Sequence, residues 1–180
     1  TNHCERVNEM IENILQLSRK DRSYPVRINM LNWLEKFKKE FCAIHELELD
    51  NVQIEVKPNE QNINVDPGQL QQIMWNLCQN ALRHSRVSED KIKLTLRGGL
   101  SADLAGPFLE VIDQGSGIPL DIANHIFEPF YTTDSRGTGL GLFIARELCE
   151  INQASLEYLP IPSGGSCFRL CFSNTHRQVA

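Results

Sequence analysis

The sequence predicts an α/β fold in which a mixed sheet carries helices on one face. Three observations lead there. Four segments place apolar residues at helical spacing, several short ones alternate apolar with polar, and the two kinds follow one another without a strict strand–helix–strand rhythm. A chain of 180 residues, 41% hydrophobic and 23% charged, suits one such domain with a small appendage.

Residues 1–20 read as a helix. Val7, Met10, Ile14 and Leu17 recur at the seam spacing of a helix bundle, and Ile11 and Leu15 widen the apolar face. A lone apolar stripe needs a partner, so this helix is expected to belong to a bundle. The charged, proline-containing stretch "RKDRSYP" then marks a boundary near Asp21–Pro25. The chain divides accordingly into 1–22 and 23–180.

"VRIN" is a short strand. In "MLNWLEKFKKEFCAIHE", Leu31, Leu34, Phe37, Phe41 and Ile44 fall on one side of a helix. "NVQIEVKP" alternates as a strand, and "NINV" is another short one. The helix in "DPGQLQQIMWNLCQNALRHS" carries its own start signal. Asp66 stands at the N-cap, Pro67 at the first helical position and Gln69 at the third position of a capping box. "KIKLTLR" and "FLEVID" read as strands joined by a glycine-rich turn, "GGLSADLAGP". Residues 114–136 are expected to be a mobile segment. A helix from Leu140 to Ile151 follows, and "SLEYL" and "SCFRLCF" finish as strands.

Composition narrows the function. A net charge of -5 argues against a general nucleic-acid-binding surface. No apolar run reaches the ~18 residues of a membrane span, and the N-terminus is too polar for a signal peptide. Contact with neither nucleic acid nor membrane is expected of this fragment. The six cysteines, at 4, 42, 78, 149, 167 and 171, form no Cys-x-x-Cys pair. Packed, reduced thiols are therefore expected rather than a zinc site.

Three clusters carry candidate chemistry. In "NLCQNALRH", Asn76 and Asn80 share a helix face, with Arg83 and His84 one turn later. Ile73, Leu77, Ala81 and Leu82 already supply the apolar side, which weakens the alternative of a merely solvated face. An Asn amide oxygen is a hard ligand suited to Mg²⁺, and Arg is a phosphate donor. In "VIDQGSGIP", a hydrophobic strand ends in Asp113, and Gly115 and Gly117 allow a tight turn. That carboxylate could accept a hydrogen bond from an exocyclic amine such as adenine's, or it could cap the turn. In "RGTGLGLFIARELCE", Gly137, Gly139 and Gly141 lead into a helix whose N-terminus attracts anions. No Gly-Lys-Ser/Thr follows, as a Walker loop requires, and no strand precedes, as the dinucleotide fingerprint requires.

Taken in order, with "IFEPFYTT" (Ile126 to Thr133) between the second and third, these clusters resemble the ATP-binding domain of two-component sensor histidine kinases. That domain belongs to the GHKL superfamily with gyrase, Hsp90 and MutL. Asn76 to His84 resembles the N box, Asp113 to Gly117 the G1 box, Phe127 to Tyr131 the F box and Gly137 to Gly141 the G2 box. The resemblance runs from about Tyr24 to the C-terminus. "GLGLFIARELCEINQASLEYLP" and "GGSCFRL" are most similar to sensor kinases of type IV pilus regulation.

The resemblance implies a two-layer α/β sandwich of the Bergerat type over 23–180, with 1–22 the end of the second helix of a dimerisation hairpin. Its ligands would be ATP and Mg²⁺. Asp113 would receive the adenine amino group, with Gly115, Gly117 and Ile118 shaping the pocket. Asn80 would ligate Mg²⁺ and Asn76 would support the metal or phosphates. Arg83 would stand for a phosphate-contacting Lys, and His84 would lie near the nucleotide. Phe127, Thr132 and Thr133 complete the nucleotide-binding set, and Gly137, Thr138, Gly139, Leu140, Gly141 and Leu142 would run over the phosphates. Residues 118–136 would form the ATP lid.

Departures from the family pattern sharpen this. Hydrolysing members, and the serine kinases, carry a Glu general base where Asn76 stands, and Asn cannot take up a proton at neutral pH. A nucleophile that needs little activation fits, and a neutral imidazole is one. Asp134 stands where a Lys often follows "TT", so Arg136 is the expected phosphate contact. Gln114 replaces a usual Asn. Among His3, His45, His84, His125 and His176, only His45 precedes a Glu, and it lacks the downstream Arg and Pro of a phosphoacceptor. The helix-end His45 is expected at the surface. The acceptor is expected before Thr1, on the hairpin of a homodimer, with a response-regulator aspartate next in line, on a transcription activator. The fragment would be the cytoplasmic portion of an inner-membrane-anchored sensor that binds Mg-ATP without phosphorylating itself. A conformational ATPase and a non-catalytic interaction module remain the alternatives.

Overall fold

The computed structural model describes residues 11, 22–84, 93–101, 103–104, 106–134 and 137–173. Of the expected N-terminal segment 1–22, all but Ile11 and Arg22 lies outside the described residues.

Strand β1 (Val26–Asn29) ends in the cap of helix α1 (Met30–Ile44): the Asn29 side chain accepts from the Asn32 N–H at 2.9 Å. Met30, Leu34, Phe37, Phe41 and Cys42 are buried. The expected stripe therefore shifts at both ends. Leu31 is half-buried, and Ile44, in the last turn, is exposed. His45 ends the helix as expected, but it is half-buried rather than fully at the surface, with its ring against Phe41 (4.5 Å) and Trp75 (5.4 Å).

A 3₁₀ turn (Leu49–Asn51) enters β2 (Val52–Lys57), and β3 (Asn62–Val65) returns antiparallel to β1. Helix α2 (Pro67–His84) begins at the expected cap, where Asp66 Oδ1 accepts from the N–H groups of Gly68 (2.9 Å) and Gln69 (3.1 Å). The reciprocal half of the capping box comes from elsewhere. The Asp66 N–H donates to Asn152 Oδ1 at 2.9 Å, and Gln69 instead accepts from Asn152 Nδ2 at 2.6 Å. A residue distant in sequence outcompetes the local partner.

β4 (Leu94–Leu100) and β5 (Pro107–Asp113) form a hairpin. The strand continues through Gly98 and Gly99, which pair with Leu109 and Phe108, so the expected glycine-rich turn is shorter than "GGLSADLAGP". Helix α3 (Gly141–Ile151) starts one residue later than expected, with Leu140 as its N-cap, and β6 (Ala154–Pro160) and β7 (Ser166–Phe172) follow.

The main sheet has the order β2-β4-β5-β7-β6, with β2 and β4 parallel and the other neighbours antiparallel. β1 and β3 form a separate two-stranded sheet that the sequence pattern does not distinguish. Helices α1, α2 and α3 pack on β2, β5 and β6 respectively, and α2 packs on α3. The result is the expected two-layer α/β sandwich with a mixed sheet. One continuous core lies between the layers, centred on side chains such as Phe37, Phe41 and Phe168. Cys42, Cys78, Cys149 and Cys167 are buried, and burial pushes the Cys149 and Cys167 thiols up to about 12. Cys4 lies outside the described residues.

On the opposite face, one register line crosses all five strands with alternating charge: Glu55, Arg97, Glu110, Arg169 and Glu157. Glu110 is only 4% exposed, and Arg169 holds it through Nε and Nη2, both at 2.7 Å.

Candidate functional site

The second half of α2, the turn after β5, residues 116–134 and the start of α3 surround a cavity of about 340 Å³. From α2 come Asn76, Gln79, Asn80, Arg83 and His84, one face at helical spacing. The other face of the same helix buries Ile73, Met74, Leu77, Cys78, Ala81 and Leu82. Packing thus turns the expected polar face toward the cavity.

Asn76 bridges to the opposite wall, where its Nδ2 donates to the Gly141 carbonyl at 3.1 Å. A carbonyl can only accept, so the amide orientation is fixed and Oδ1 remains an acceptor. Gly141 has room for a side-chain carbon. A Cβ there would have Asn76 as its nearest neighbour, at 3.9 Å. Gly139 is different. Its φ of +70° suits glycine, and a Cβ would stand 2.5 Å from the Phe130 carbonyl carbon. The Phe130 N–H closes that contact by donating to the Gly139 carbonyl at 2.9 Å.

Asp113 is 2% exposed, and its Oδ1 accepts from the N–H groups of Gly115 (2.8 Å) and Ser166 (3.3 Å). The turn-capping role open to it is therefore realised. Burial pushes its carboxyl pKa above the ordinary range, against the opposing effects of those N–H groups and of the nearby His84. Ile118, just beyond the turn, donates its N–H to the Tyr158 hydroxyl at 3.1 Å.

Residues 119–131 form successive hydrogen-bonded turns, among them Ala123 N–H to Pro119 O and His125 N–H to Ile122 O. Phe127 packs against the core, edge-on to Phe168 at 6.2 Å, with the Arg146 guanidinium over its ring at 5.6 Å. Thr132 Oγ1 ties the next turn by donating to the Asp134 carbonyl (3.0 Å) and accepting from the Asp134 N–H (3.1 Å). Buried Thr138 accepts from the Leu140 N–H at 3.4 Å, at the entry to α3.

Of the expected site residues, Asn76, Asn80, Arg83, His84, Gly117, Ile118, Thr132, Thr133, Gly137, Thr138, Gly139, Gly141 and Leu142 line the cavity together. Asp113, Gly115, Phe127 and Leu140 do not line it. Asp113 and Leu140 are buried, while Gly115 and Phe127 are partly so. Arg136 lies outside the described residues. The lining also includes Gln79, Ser116, Pro119, Ile122, Ile126, Tyr131 and Asp134. Gln79 was findable, since it sits one turn from Asn76 on the same helical face. Ile122 and Ile126 carry no such signal, because their segment is neither helix nor strand.

Among the described residues no group of three or more His, Cys, Asp or Glu side chains could cage a metal. The polar lining consists of amides, hydroxyls, main chain, Arg83, His84 and Asp134. Such a set can bind a polyanion that brings its own cation. It contains no cluster of carboxylates to hold a cation unaided.

The family described as "Histidine kinase-, DNA gyrase B-, and HSP90-like ATPase" matches residues 65–176. "Sensor protein kinase PilS" of Pseudomonas aeruginosa is 41% identical over 176 residues, covering 96% of this chain and 32% of that protein. "Signal transduction histidine-protein kinase AtoS" of Escherichia coli is 27% identical over 177 residues, covering 92% of this chain and 27% of that protein. The chain thus spans about a third or less of these relatives' length. Among solved structures, the catalytic domain of histidine kinase ThkA aligns with a TM-score of 0.69 at 21% identity, over 83% of this chain and 95% of that one. Full-length ShkA in complex with AMPPNP aligns with a TM-score of 0.74 at 22% identity, over 94% of this chain and 35% of that one. At such identities these likenesses establish the fold.

Proposed function

The chain belongs to the histidine kinase-, DNA gyrase B- and HSP90-like ATPase family, and we propose that its cavity binds Mg-ATP and presents the γ-phosphoryl group to a histidine on a dimerisation hairpin. The observation that carries this is the Asn76–Gly141 hydrogen bond. It joins the helix that offers amide oxygens to the N-terminus of α3, so that acceptors for a cation and donors for phosphates face one space.

The same bond supports a kinase over a hydrolase. Asn76 spends an N–H on a carbonyl, and a Glu carboxylate at neutral pH has no proton to give there. No general base is then supplied from this position, and a neutral imidazole needs none. Transfer of this kind depends on positioning and charge stabilisation.

The donor set fits Mg²⁺. This ion favours oxygen ligands and commonly keeps waters and substrate phosphates, so one or two protein oxygens suffice. Asn80 would supply its amide oxygen, with Asn76 Oδ1 beside it, and the bound ion would neutralise phosphate charge. Arg83, Thr132, Thr133 and Arg136 would meet the phosphates. Asp113 would accept from the adenine amine, with Gly115, Gly117 and Ile118 around the base.

Residues 1–22 would end the hairpin of a homodimer, and a response-regulator aspartate, on a transcription activator, would take the phosphoryl group onward. The likeness to PilS favours type IV pilus regulation as the pathway. Among the described residues no helix is long and apolar enough to cross a membrane, and we assign the domain to the cytoplasmic side of a membrane-anchored sensor.

The test is calorimetric titration with AMPPNP, with and without Mg²⁺, followed by addition of the hairpin and a search for acid-labile, base-stable phosphate. Asn80→Ala should abolish that label. Intact labelling would remove the metal assignment. Steady phosphate release by the chain alone, lost in Asn76→Ala, would instead mark a conformational ATPase.

A further inference from the structure

Tyr158 lies midway along β6, opposite Phe168 on β7, with ring centroids 5.6 Å apart. Its ring is half-buried against the core. Its hydroxyl leaves the core and meets one residue just beyond the turn after β5. The Ile118 N–H donates to Oη at 3.1 Å, and Oη donates to the Ile118 carbonyl at 3.5 Å. Ile118 belongs to no helix or strand, and among the described residues Tyr158 is the hydrogen-bond partner of its main chain.

Ile118, held in this way, lies within one side of the cavity. Gly117, Ile118, Pro119, Ile122 and Ile126 make its apolar wall, whereas Asn76 and Asn80 mark the polar end. A flat, apolar-faced base suits the first, and phosphates with their cation suit the second. Phe168, which supports the Tyr158 ring, also supports Phe127. One aromatic cluster thus anchors both segments that flank the apolar wall.

We propose that Tyr158 is a positioning residue for the base end of the nucleotide site. Its hydroxyl fixes the Ile118 main chain, so the apolar wall stands at its binding distance before a nucleotide arrives. This role presupposes that the cavity binds ATP. A wall ordered in advance need not be ordered at the moment of binding, and the hydroxyl supplies that order.

Tyr158→Phe keeps the ring and its packing and removes only the hydroxyl. Calorimetry with ATP, ADP and AMP in the presence of Mg²⁺ should show affinity reduced by about 3- to 10-fold, the worth of one hydrogen bond. The factor should be the same for all three ligands, since the lost contact lies at the base end. Hydrogen exchange at the Ile118 amide should quicken at least about tenfold, with the amides of β6 and β7 unchanged. Unchanged affinity overturns the proposal, whatever exchange shows. A factor that grows with phosphate number overturns it too, as does faster exchange throughout the sheet, which would mark a fold-wide role. If the unaltered chain binds no ATP, the nucleotide site itself is wrong, and that outcome is distinct from any effect of Tyr158.

Discussion

Gly141→Ala should separate nucleotide binding from folding. A Cβ at this position would lie 3.9 Å from Asn76 Cβ and Cγ and 4.0 Å from Oδ1, ordinary contact distances, so no folded atom must move. Gly141 is the first residue of α3. Alanine is favoured over glycine inside helices by up to about 1 kcal/mol, and it also restricts the unfolded chain. The unfolding midpoint without ligand should therefore stay level or rise by up to about 3 °C. The new methyl group, however, stands in the cavity where the helix N-terminus faces the ligand. If it keeps a phosphate from one main-chain donor, a charge-assisted hydrogen bond of about 1.5–3 kcal/mol is lost, a roughly 10- to 150-fold weaker affinity for Mg-ATP. Thermal unfolding and calorimetry on one preparation test both halves. Unchanged affinity would refute the approach of phosphates to α3, and a lower midpoint would refute the room for a Cβ at Gly141. Gly139→Ala is the contrasting control. With φ at +70° and Phe130 in the way, it should lose stability as well as binding.

Asp113→Asn should weaken ATP binding about 10- to 100-fold and erode selection against GTP, because an amide N–H would face the adenine amine. The raised pKa means the folded state holds the proton more tightly. Wild-type stability from this group is thus full below the unfolded carboxyl pKa and falls as pH rises through the folded one. Urea unfolding between pH 4 and 8 should show the Asp113→Asn variant gaining on wild type as pH rises; the opposite trend would sink this account. Asn152→Ala should cost about 2–4 kcal/mol in urea unfolding, since that side chain bonds Ser23, Asp66, Gln69 and Leu148. Glu110→Ala should cost about 1–3 kcal/mol, less in high salt, by leaving Arg169 and Arg97 without their shared carboxylate. A salt-independent loss would assign the effect to packing instead.

Much of the site was legible because its signals are local. The 3.6-residue period alone sets Asn76, Asn80, Arg83 and His84 on one face, and the apolar residues between them dictate which face turns away from the core. Asp66 declares the start of α2 through bonds to residues two and three positions on. The strand ending at Asp113 shows its apolar run, and the turn after it shows its glycines. The corrections arise where a distant partner intervenes. The β4–β5 pairing draws Gly98 and Gly99 into a strand despite their turn-like composition. Asn152 displaces Gln69 from its capping role. Phe127, on a segment without periodicity, turns toward Phe168 rather than the cavity.

What the sequence by itself determined is the list of strands and α-helices between Val26 and Phe172, the family and most of the polar residues around the cavity. All of these depend on contacts within about two helical turns or on motifs in order along the chain. Only the tertiary structure decided the strand order β2-β4-β5-β7-β6, the charge line on its outer face and the bond from Asn76 to Gly141. It alone also set Tyr158 against Ile118 across 40 positions of chain. The physical reason is one of range. A hydrogen bond between residues far apart in sequence leaves no periodicity behind, and it forms only after the core has brought its two ends together.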